Sequence, residues 1–292
     1  MPVAGPASFK TILFPVDFSE RARAVAPFVL SMAQRYQAKV VLLHALMPPP
    51  PIYSATNAVY PEIYDFTGLS ASLRAELEKF AEAELPKIEV TCGVELGDAA
   101  SVITDFAEQE KIGLIAMPTH GHGAFRRVLL GSVTAKVLHD SKTPVWTAAH
   151  AAEPSHRAHP QPRHIVCAID LKAESRHALE SAIEIAADAN ATIELLHVAA
   201  EGEIDALVPE SRMQDLLVEA ARAGRVQIQE GDGSARIAKT DASVADMVRD
   251  VAIRKKADLV VIGRGSIVGT VGRWHANAYE IVREAPCPVL SV

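Results

Sequence analysis

The sequence contains few cysteines, few aromatic residues and no excess of basic charge. Its three cysteines, Cys92, Cys167 and Cys287, are widely spaced and lie in apolar surroundings, so we expect reduced core thiols and not a disulfide framework. Aromatic residues make up 5% of the chain, and 29 basic residues stand against 36 acidic ones, which gives a net charge of -7. This balance does not favour a surface that binds nucleic acid.

Long apolar runs are also missing. No run approaches the ~20 residues that span a membrane, and the first ten residues lack the charged stretch and apolar core of a secretory signal. We therefore expect a cytoplasmic protein without a membrane partner. The Gly-x-Ser-x-Gly elbow, the His-Glu-x-x-His helix and the P-loop are absent too, so no catalytic residue is assigned.

What the sequence does contain is an internal repeat. The matching segments are residues 11–17 with 164–170, residues 41–44 with 194–197, and residues 141–146 with 285–290. The first two pairs share a spacing of 153 residues, and the third has a spacing of 144 because the second copy is shorter in its middle. Two anchors at one spacing indicate that the chain holds two copies of one unit.

The repeat divides the chain into two domains. We expect domain one at residues 1–149, a linker at residues 150–162 and domain two at residues 163–292, because the linker is rich in Ala, His and Pro and has no apolar periodicity. Within each copy, short β-branched runs alternate with longer amphipathic stretches, which is typical of strand-helix-strand units. The predicted fold class is α/β, with two tandem five-stranded parallel sheets.

The pattern also places the individual elements. In copy one, strands are predicted near 10–16, 39–45, 88–94, 113–117 and 144–148, and helices near 19–36, 68–84, 98–110 and 131–140. Ser19 and Asp98 are the expected N-caps of the first and third helices. In copy two, strands are predicted near 164–169, 192–198, 258–262 and 287–292, and the third strand has two alternatives, 225–229 and 235–239.

A glycine-rich segment follows the fourth strand of copy one. After Met117 the chain reads Pro-Thr-His-Gly-His-Gly-Ala-Phe-Arg-Arg-Val-Leu-Leu-Gly-Ser and then enters a helical pattern. In doubly wound sheets ligands lie at the carboxyl ends of strands, where glycines let backbone amides approach phosphate oxygens. Gly131 and Ser132 open the helix, whose free amides and dipole favour an anion. The Ser132 hydroxyl either donates to phosphate or caps the helix.

Four other features of the sequence either have two possible interpretations or are given no functional role. Asp17 ends the first strand at the same sheet edge, where its carboxylate either accepts from ribose hydroxyls or forms an Asx turn. His44 and His197 are interpreted as supporting histidines and not as catalysts. The remaining histidines fit no common zinc spacing, so no metal site is assigned. Residues 47–68, with four consecutive prolines and three tyrosines, form either a lid or partner-binding loop or a loop packed on its own domain.

Taken together, Phe-Pro-Val-Asp17-Phe-Ser, Leu-Leu-His44 and Thr-His-Gly121 followed by Gly131-Ser132 resemble the universal stress protein family, over nearly the whole chain and in both copies. The resemblance implies two Rossmann-like domains of the adenine nucleotide alpha hydrolase-like type. It further implies that copy one binds ATP, ADP or AMP, with Mg2+ held mainly by phosphates and water, and has a regulatory output. The implied binding residues are Pro15, Val16, Asp17, Ala45, Met117, His120, Gly121, Gly123, Gly131, Ser132 and Val133.

The chain departs from the family pattern in both copies. ATP-binding members carry Gly, two residues, Gly, nine residues and Gly with Ser or Thr, but Pro118 stands at the first glycine position. Because proline has no amide and holds φ near about -65°, we expect weakened or shifted binding. Copy two keeps candidate binding residues, namely Asp170, Val198, Gly263 and Gly265, but no Gly-Ser pair opens its last helix.

Two other functions stay open. One is a nucleotide-independent interaction scaffold with vestigial sites and an unknown protein partner. The other is a slow ATPase or autophosphorylating protein, with Ser132 or Thr134 as acceptor and Asp17, His120 or Asp98 as base or metal ligands.

The resemblance also predicts how the two copies are arranged. Single-domain members of the family dimerise through edge strands such as residues 144–148 and 288–292, which are short and apolar here. We therefore expect the two copies to form an intramolecular pseudo-dimer through these strands. A further homodimer is an open alternative.

Overall fold

The computed structural model describes residues 9–48, 52–53, 58–59, 65–120, 130–148, 161–169, 175–199, 215, 235–239, 243–263 and 273–292. Copy one contains the strands β1 (Thr11–Pro15), β2 (Lys39–Leu46), β3 (Ile52–Tyr53), β4 (Ala58–Val59), β5 (Val90–Leu96), β6 (Leu114–Pro118) and β7 (Val145–Ala148). Its helices are α1 (Glu20–Tyr36), α2 (Phe66–Glu84), α3 (Ala99–Gln109) and α4 (Ser132–Asp140).

In its described residues, copy two follows the same order of elements without counterparts of β3, β4 and α2. Its strands are β8 (His164–Ile169), β9 (Thr192–Ala199), β10 (Ala235–Lys239), β11 (Leu259–Ile262) and β12 (Val289–Ser291). Its helices are α5 (Ser175–Ala189), α6 (Val244–Lys255) and α7 (Arg273–Glu284). The alternative that placed the third strand at residues 235–239 is therefore confirmed, whereas residues 225–229 lie outside the described part of the chain.

The long strands form one ten-stranded sheet, and β3 and β4 pair separately with each other. The order is β10-β9-β8-β11-β12-β7-β6-β1-β2-β5, and neighbouring strands within each copy are parallel. In each copy the strands are added first on one side of the first strand and then on the other, so the strand order reverses between β1 and β6 and between β8 and β11. Each reversal is the switch point of a doubly wound fold. The predicted α/β class with five parallel strands in each copy is confirmed.

The two copies join through their last strands. β7 and β12 pair antiparallel, with Trp146 opposite Leu290, and the Thr147 hydroxyl donates to the Val289 carbonyl at 3.3 Å. This is the pairing predicted for the intramolecular pseudo-dimer. Two short strands that would expose unpaired backbone groups at a sheet edge thus satisfy each other.

Helix caps and turns agree closely with the sequence patterns. The Ser19 hydroxyl accepts from the Ala22 amide at 3.1 Å, and the Asp98 carboxylate accepts from the Ser101 amide at 3.1 Å, so both predicted N-caps are confirmed. β5 begins two residues later than predicted. The reason is a turn at Lys87, whose φ of 64° is left-handed and interrupts the extended backbone.

The core lies on both faces of the sheet, because successive residues of the central strands point to opposite sides. In β1, Ile12 and Phe14 belong to one buried cluster and Leu13 to the other. Each cluster contains residues of both copies, so the core continues across the β7–β12 junction. Cys167 and Cys287 are buried free thiols, and burial raises the pKa of each to about 12.

Some expectations fall outside what the structure describes. Most of residues 47–68, including Pro49 to Pro51, is not described. Residues 149–160, which include most of the predicted linker, are not described either, so the domain boundaries stay a prediction. Within the described ranges, no helix combines the length and apolarity needed to cross a membrane.

Candidate functional site

A cavity of about 490 Å³ opens in copy one at the carboxyl ends of β1, β2 and β6 and at the N-terminus of α4. Its volume lies in the usual range for sites that bind small ligands. Every predicted site residue of copy one that the structure describes lines it, namely Pro15, Val16, Asp17, Ala45, Met117, His120, Gly131, Ser132 and Val133. Leu43, His44, Ala99, Ile103, Pro118, Leu130 and Thr134 complete the wall. Gly121 and Gly123 lie outside the described residues.

The turn after β1 forms one wall of the cavity. Oδ1 of Asp17 accepts from the Ser19 amide at 3.0 Å and from the Ser19 hydroxyl at 2.6 Å. Between them Phe18 has a left-handed φ of 62°. The Asx turn considered for Asp17 is therefore present, and it fixes the carboxylate at the cavity wall. A role towards ribose hydroxyls stays a prediction.

His44 supports this turn from the neighbouring strand. Its Nδ1 lies 2.7 Å from the Val16 carbonyl oxygen, and since a carbonyl only accepts, Nδ1 is the donor. The His44 ring also packs on Phe18, with ring centroids 5.1 Å apart. In copy two, Nδ1 of His197 donates in the same way to the Ile169 carbonyl at 3.0 Å. The repeated histidines thus bond to equivalent carbonyls at the carboxyl ends of the first strands, as the interpretation of supporting residues expected.

The N-terminus of α4 forms the opposite wall. Its N-cap is Gly131, whose amide donates to the Thr119 carbonyl at 2.8 Å. A Cβ on Gly131 would lie only 3.1 Å from that oxygen and 3.2 Å from the Cα of His120, so glycine permits the loop and the helix to approach closely. Because Gly131 occupies the cap position, the alternative that the Ser132 hydroxyl caps the helix is wrong.

The first turn of α4 presents backbone amides to the cavity. The amide of Ala135 donates to the Gly131 carbonyl at 2.8 Å, so the amides of Ser132, Val133 and Thr134 precede the first intrahelical donor. Together with the helix dipole they favour an anion. The Thr134 hydroxyl is buried and donates to the Pro118 carbonyl at 3.0 Å, whereas Ser132 is exposed. Of the two proposed phosphate acceptors, only Ser132 is accessible.

Asp98 is committed to a structural contact. Lys136 donates to its carboxylate at 2.8 Å, and the amide and hydroxyl of Ser101 donate as well. The hydrogen bond from Lys136, followed by those from Ser101, lowers the pKa of Asp98 to about 2. This carboxylate therefore ties α3 to α4 and is not offered to the cavity as a base.

Among the described residues of copy two, a cavity of about 10 Å³ lies at the equivalent place, and residues 170–174 and 264–272 lie outside the described part of the chain. Of its predicted residues, Val198 and Gly263 line this cavity, while Asp170 and Gly265 lie outside the described residues. Val198 and Val244 stand where copy one has Ala45 and Ala99, so each adds two methyl groups to the wall. The remaining volume holds no more than about one water molecule. In the described part of the chain, no cluster of three or more His, Cys, Asp or Glu side chains is suited to a metal ion.

The role of Val244, and of its counterpart Ala99, was missed by the sequence reasoning, which concentrated on the glycines of the loop. A signal was available. Aligning the Asp98 cap of copy one with the Ser243 cap of copy two places Ala99 opposite Val244 at the first residue of each helix.

The sequence profile of the universal stress protein family matches residues 8–148 and again residues 162–292. A universal stress protein of Thermus aquaticus is 31% identical over 147 residues, which are 47% of this chain and 96% of that protein. Universal stress protein MJ0531 of Methanocaldococcus jannaschii is 28% identical over 155 residues, which are 48% of this chain and 82% of that protein. Each of these relatives corresponds to about one copy.

Among solved structures, a universal stress protein from Archaeoglobus fulgidus superposes with a TM-score of 0.67 at 20% identity, over 96% of this chain and 95% of that chain. At this identity the likeness shows a shared fold that includes both copies. Since the family profile covers both halves, the chain belongs to the universal stress protein family and carries its domain twice in tandem.

Proposed function

We propose that copy one binds ATP or a related adenine nucleotide and that the bound nucleotide serves a regulatory role and not primarily a catalytic one. The observation that carries the proposal is the cavity of about 490 Å³, which places an apolar wall, a carboxylate and the N-terminus of a helix around one space. Concave, mostly apolar sites with a few placed polar groups are typical of small-ligand binding.

The nucleoside would occupy the part of the cavity near β1 and β2. Val16, Met117 and Ile103 supply apolar surface for a base. The Asp17 carboxylate, already oriented by its turn, supplies an acceptor suited to ribose hydroxyls. Ala45 leaves space and brings the backbone of β2 to the wall, where amide and carbonyl groups can read a base edge.

The phosphates would occupy the part near α4. The amides of Ser132 and Val133, the Ser132 hydroxyl and the helix dipole favour an anion there. No Lys or Arg is found among the described lining residues, so neutral donors and a Mg2+ held by phosphates and water would balance the phosphate charge. Pro118 removes one amide from this wall, but its carbonyl accepts from Thr134 and stabilises the start of α4.

Isothermal titration of the full chain with ATP, ADP, AMP and adenosine, with and without Mg2+, tests the proposal. We expect one nucleotide per chain and weaker binding by the Asp17→Asn variant, which keeps an oxygen for the turn but loses the charge. The matched control is Asp65→Asn, because Asp65 caps α2 through the Gly68 amide and does not line the cavity. Folded protein that binds none of the four ligands would overturn the proposal, as would binding that both variants leave unchanged.

A further inference from the structure

Equivalent residues of the two copies meet where β7 and β12 pair. Trp146 and Leu290 occupy the same position in the repeat, and they lie directly opposite each other in the antiparallel ladder. The pseudo-twofold axis that relates the copies therefore passes between them. In a symmetric pair of identical domains, a residue at such an axis faces its own counterpart. Here Trp146 faces Leu290 and not a second tryptophan.

A charge pair crosses the same axis between α1 and α5. Arg35 and Asp188 are equivalent, since each lies two residues before a left-handed helix end, at Gln37 and Asn190. Nε of Arg35 lies 3.1 Å from Oδ2 of Asp188, and the two side chains are only 18% and 9% exposed. Two copies of domain one would place Arg against Arg here, and two copies of domain two would place Asp against Asp. Either arrangement sets like charges together in a poorly solvated place.

A third equivalent pair joins α4 to α7. The Tyr279 hydroxyl donates to the carbonyl of Ala135 at 3.1 Å. The two helices end with matching bonds, from the Ser141 amide to Val137 and from the Ala285 amide to Ile281, which places Ala135 opposite Tyr279 in the repeat. Two alanines would leave a gap at this point, and two tyrosines would compete for one space.

In the Trp146–Leu290 pair, too, a larger side chain lies opposite a smaller one. Trp146 also packs on Phe28 of its own copy, with ring centroids 5.0 Å apart. The remaining space at this junction is a cavity of about 50 Å³. A second tryptophan in place of Leu290 would overfill it.

We propose that these three pairs determine which copy pairs with which. The surface of copy one formed by α1, α4 and β7 accepts copy two and rejects another copy one. The surface of copy two formed by α5, α7 and β12 likewise rejects another copy two. One pair is complementary in charge and two are complementary in size. Each pair lies at the axis, where pairing of two identical copies would bring identical residues into contact. Chains that associate through this surface therefore do so only by exchanging copy one of one chain with copy two of another. This inference is independent of nucleotide binding.

The first test separates the copies after the full chain has folded. A protease site placed within residues 150–160 is cleaved in purified protein, and isotope-labelled and unlabelled preparations are mixed and examined by native mass spectrometry. We expect exchange to produce only pairs of copy one with copy two, in labelled and unlabelled combinations. Pairs of copy one with copy one, or of copy two with copy two, at a share near the statistical one would overturn the proposal.

The second test swaps the charges at the axis in the same cleaved protein. Arg35→Asp and Asp188→Arg should each raise the Kd between the copies at least about tenfold, and the double swap should return it to within about threefold of the original. The matched control, Lys142→Glu, reverses a charge in an exposed ion pair with Glu108 within copy one and should leave the Kd unchanged. Additive losses in the double swap would contradict the proposal.

The third test covers the case in which a charge variant does not fold. The size swap Ala135→Tyr with Tyr279→Ala exchanges large and small residues at another axis pair. Each single change should weaken the pairing of the copies or permit self-pairing, and the double change should restore selective pairing of copy one with copy two. If the folded double variant does not regain selective pairing, the proposal that these residue pairs determine the partner is contradicted.

Discussion

The two copies share a backbone plan and differ in the space that it encloses. In both, a histidine on the second strand donates to a carbonyl at the carboxyl end of the first strand, at 2.7 Å from His44 and 3.0 Å from His197. Yet the cavity measures about 490 Å³ in copy one and about 10 Å³ in copy two. The fold therefore provides the position of a site, and side-chain size decides whether there is room for a ligand.

Part of the difference can be assigned to two pairs of positions. Ala45 and Ala99 of copy one correspond to Val198 and Val244 of copy two, and all four side chains line the respective cavities. Copy two shows that the same place in the fold accepts the larger residues, because Val198 and Val244 pack against its buried core. Exchanging these residues between the copies separates loss of space from loss of fold.

The largest effect is expected when copy one receives the valines of copy two. Ala45→Val with Ala99→Val adds four methyl carbons to the cavity wall, where overpacking costs about 1–3 kcal/mol, so the affinity for nucleotide should fall on the order of 100-fold. Titration calorimetry of the full chain measures the loss, and circular dichroism checks that the fold is retained. Unchanged affinity would show that nucleotide, if bound, lies elsewhere.

The reciprocal change in copy two is the control. Val198→Ala with Val244→Ala should lower the free energy of unfolding by about 1–4 kcal/mol, because methyl groups that pack against the core are removed. Nucleotide affinity in copy one should not change. A loss of affinity in this variant would mean that the two cavities do not act separately.

The second comparison uses the paired histidines. His44→Ala and His197→Ala each remove a hydrogen bond to a carbonyl at the end of a first strand, and each should lower the free energy of unfolding by about 1–3 kcal/mol. Only His44→Ala should also weaken nucleotide binding, by about tenfold, since its turn carries Asp17. Urea unfolding and calorimetry on both variants give the two readouts, and equal effects on binding would contradict the assignment.

A smaller effect is expected at the N-cap of α4. In Gly131→Ala the new Cβ must displace the Thr119 carbonyl or the His120 backbone by a few tenths of an ångström. We expect a loss of about 1 kcal/mol in stability and a severalfold weaker affinity for ATP. Adenosine affinity should change less, because the displacement lies on the side proposed for phosphate. An equal loss for both ligands would argue against that placement.

The smallest expected effect is the dependence of the free energy of unfolding on acidic pH. Copy one caps its third helix with Asp98, whose pKa is lowered to about 2, whereas copy two caps the equivalent helix with Ser243, which does not titrate. Because the folded pKa lies below the usual 3.8, the contribution of Asp98 is complete above about pH 5 and is lost as the pH falls through about 2. This exposed contact contributes only about 0.5 kcal/mol.

Carboxyl NMR titration of the full chain checks this last prediction. In Lys136→Met the pKa of Asp98 should rise part of the way towards its usual value, since the hydrogen bond from Lys136 is the largest cause of the shift and those from Ser101 persist. The pKa of Asp246 in copy two, which its bond with Ser243 lowers, should not move. A Lys136 variant with an unaltered pKa of Asp98 would show that this contact does not form in solution.

Much of the architecture was predictable from sequence because its signals are local. The alternation of short apolar strands with amphipathic helices, the caps at Ser19 and Asp98 and the repeat at a spacing of 153 residues all depend on residues close in the chain. The carboxyl ends of parallel strands meet at one sheet edge, so Asp17 and Gly131 could be brought together in advance, while Val16 and Ala45 followed from the family resemblance.

Cavity volume and the detailed use of side chains were less accessible. Whether Asp17 forms a turn, whether Gly131 or Ser132 caps α4 and how Thr134 is buried all depend on groups that lie far apart in the chain, such as the Pro118 carbonyl. Similarly, an alanine and a valine are both compatible with the local pattern of a strand or helix. Only packing against the opposite wall decides whether the extra methyl groups close the site.

By itself, then, the sequence determined two tandem α/β domains, their order of elements, the edge of the sheet where a ligand would bind and the family resemblance carried by the glycine loop. The tertiary structure alone decided that copy one encloses a cavity of about 490 Å³, whereas the described residues of copy two line one of about 10 Å³. It also decided that unlike residues meet at the axis between the copies, at Arg35 with Asp188 and at Ala135 with Tyr279. Local patterns follow from backbone propensity and periodicity, whereas volume and pairing depend on contacts between distant segments that no local pattern records.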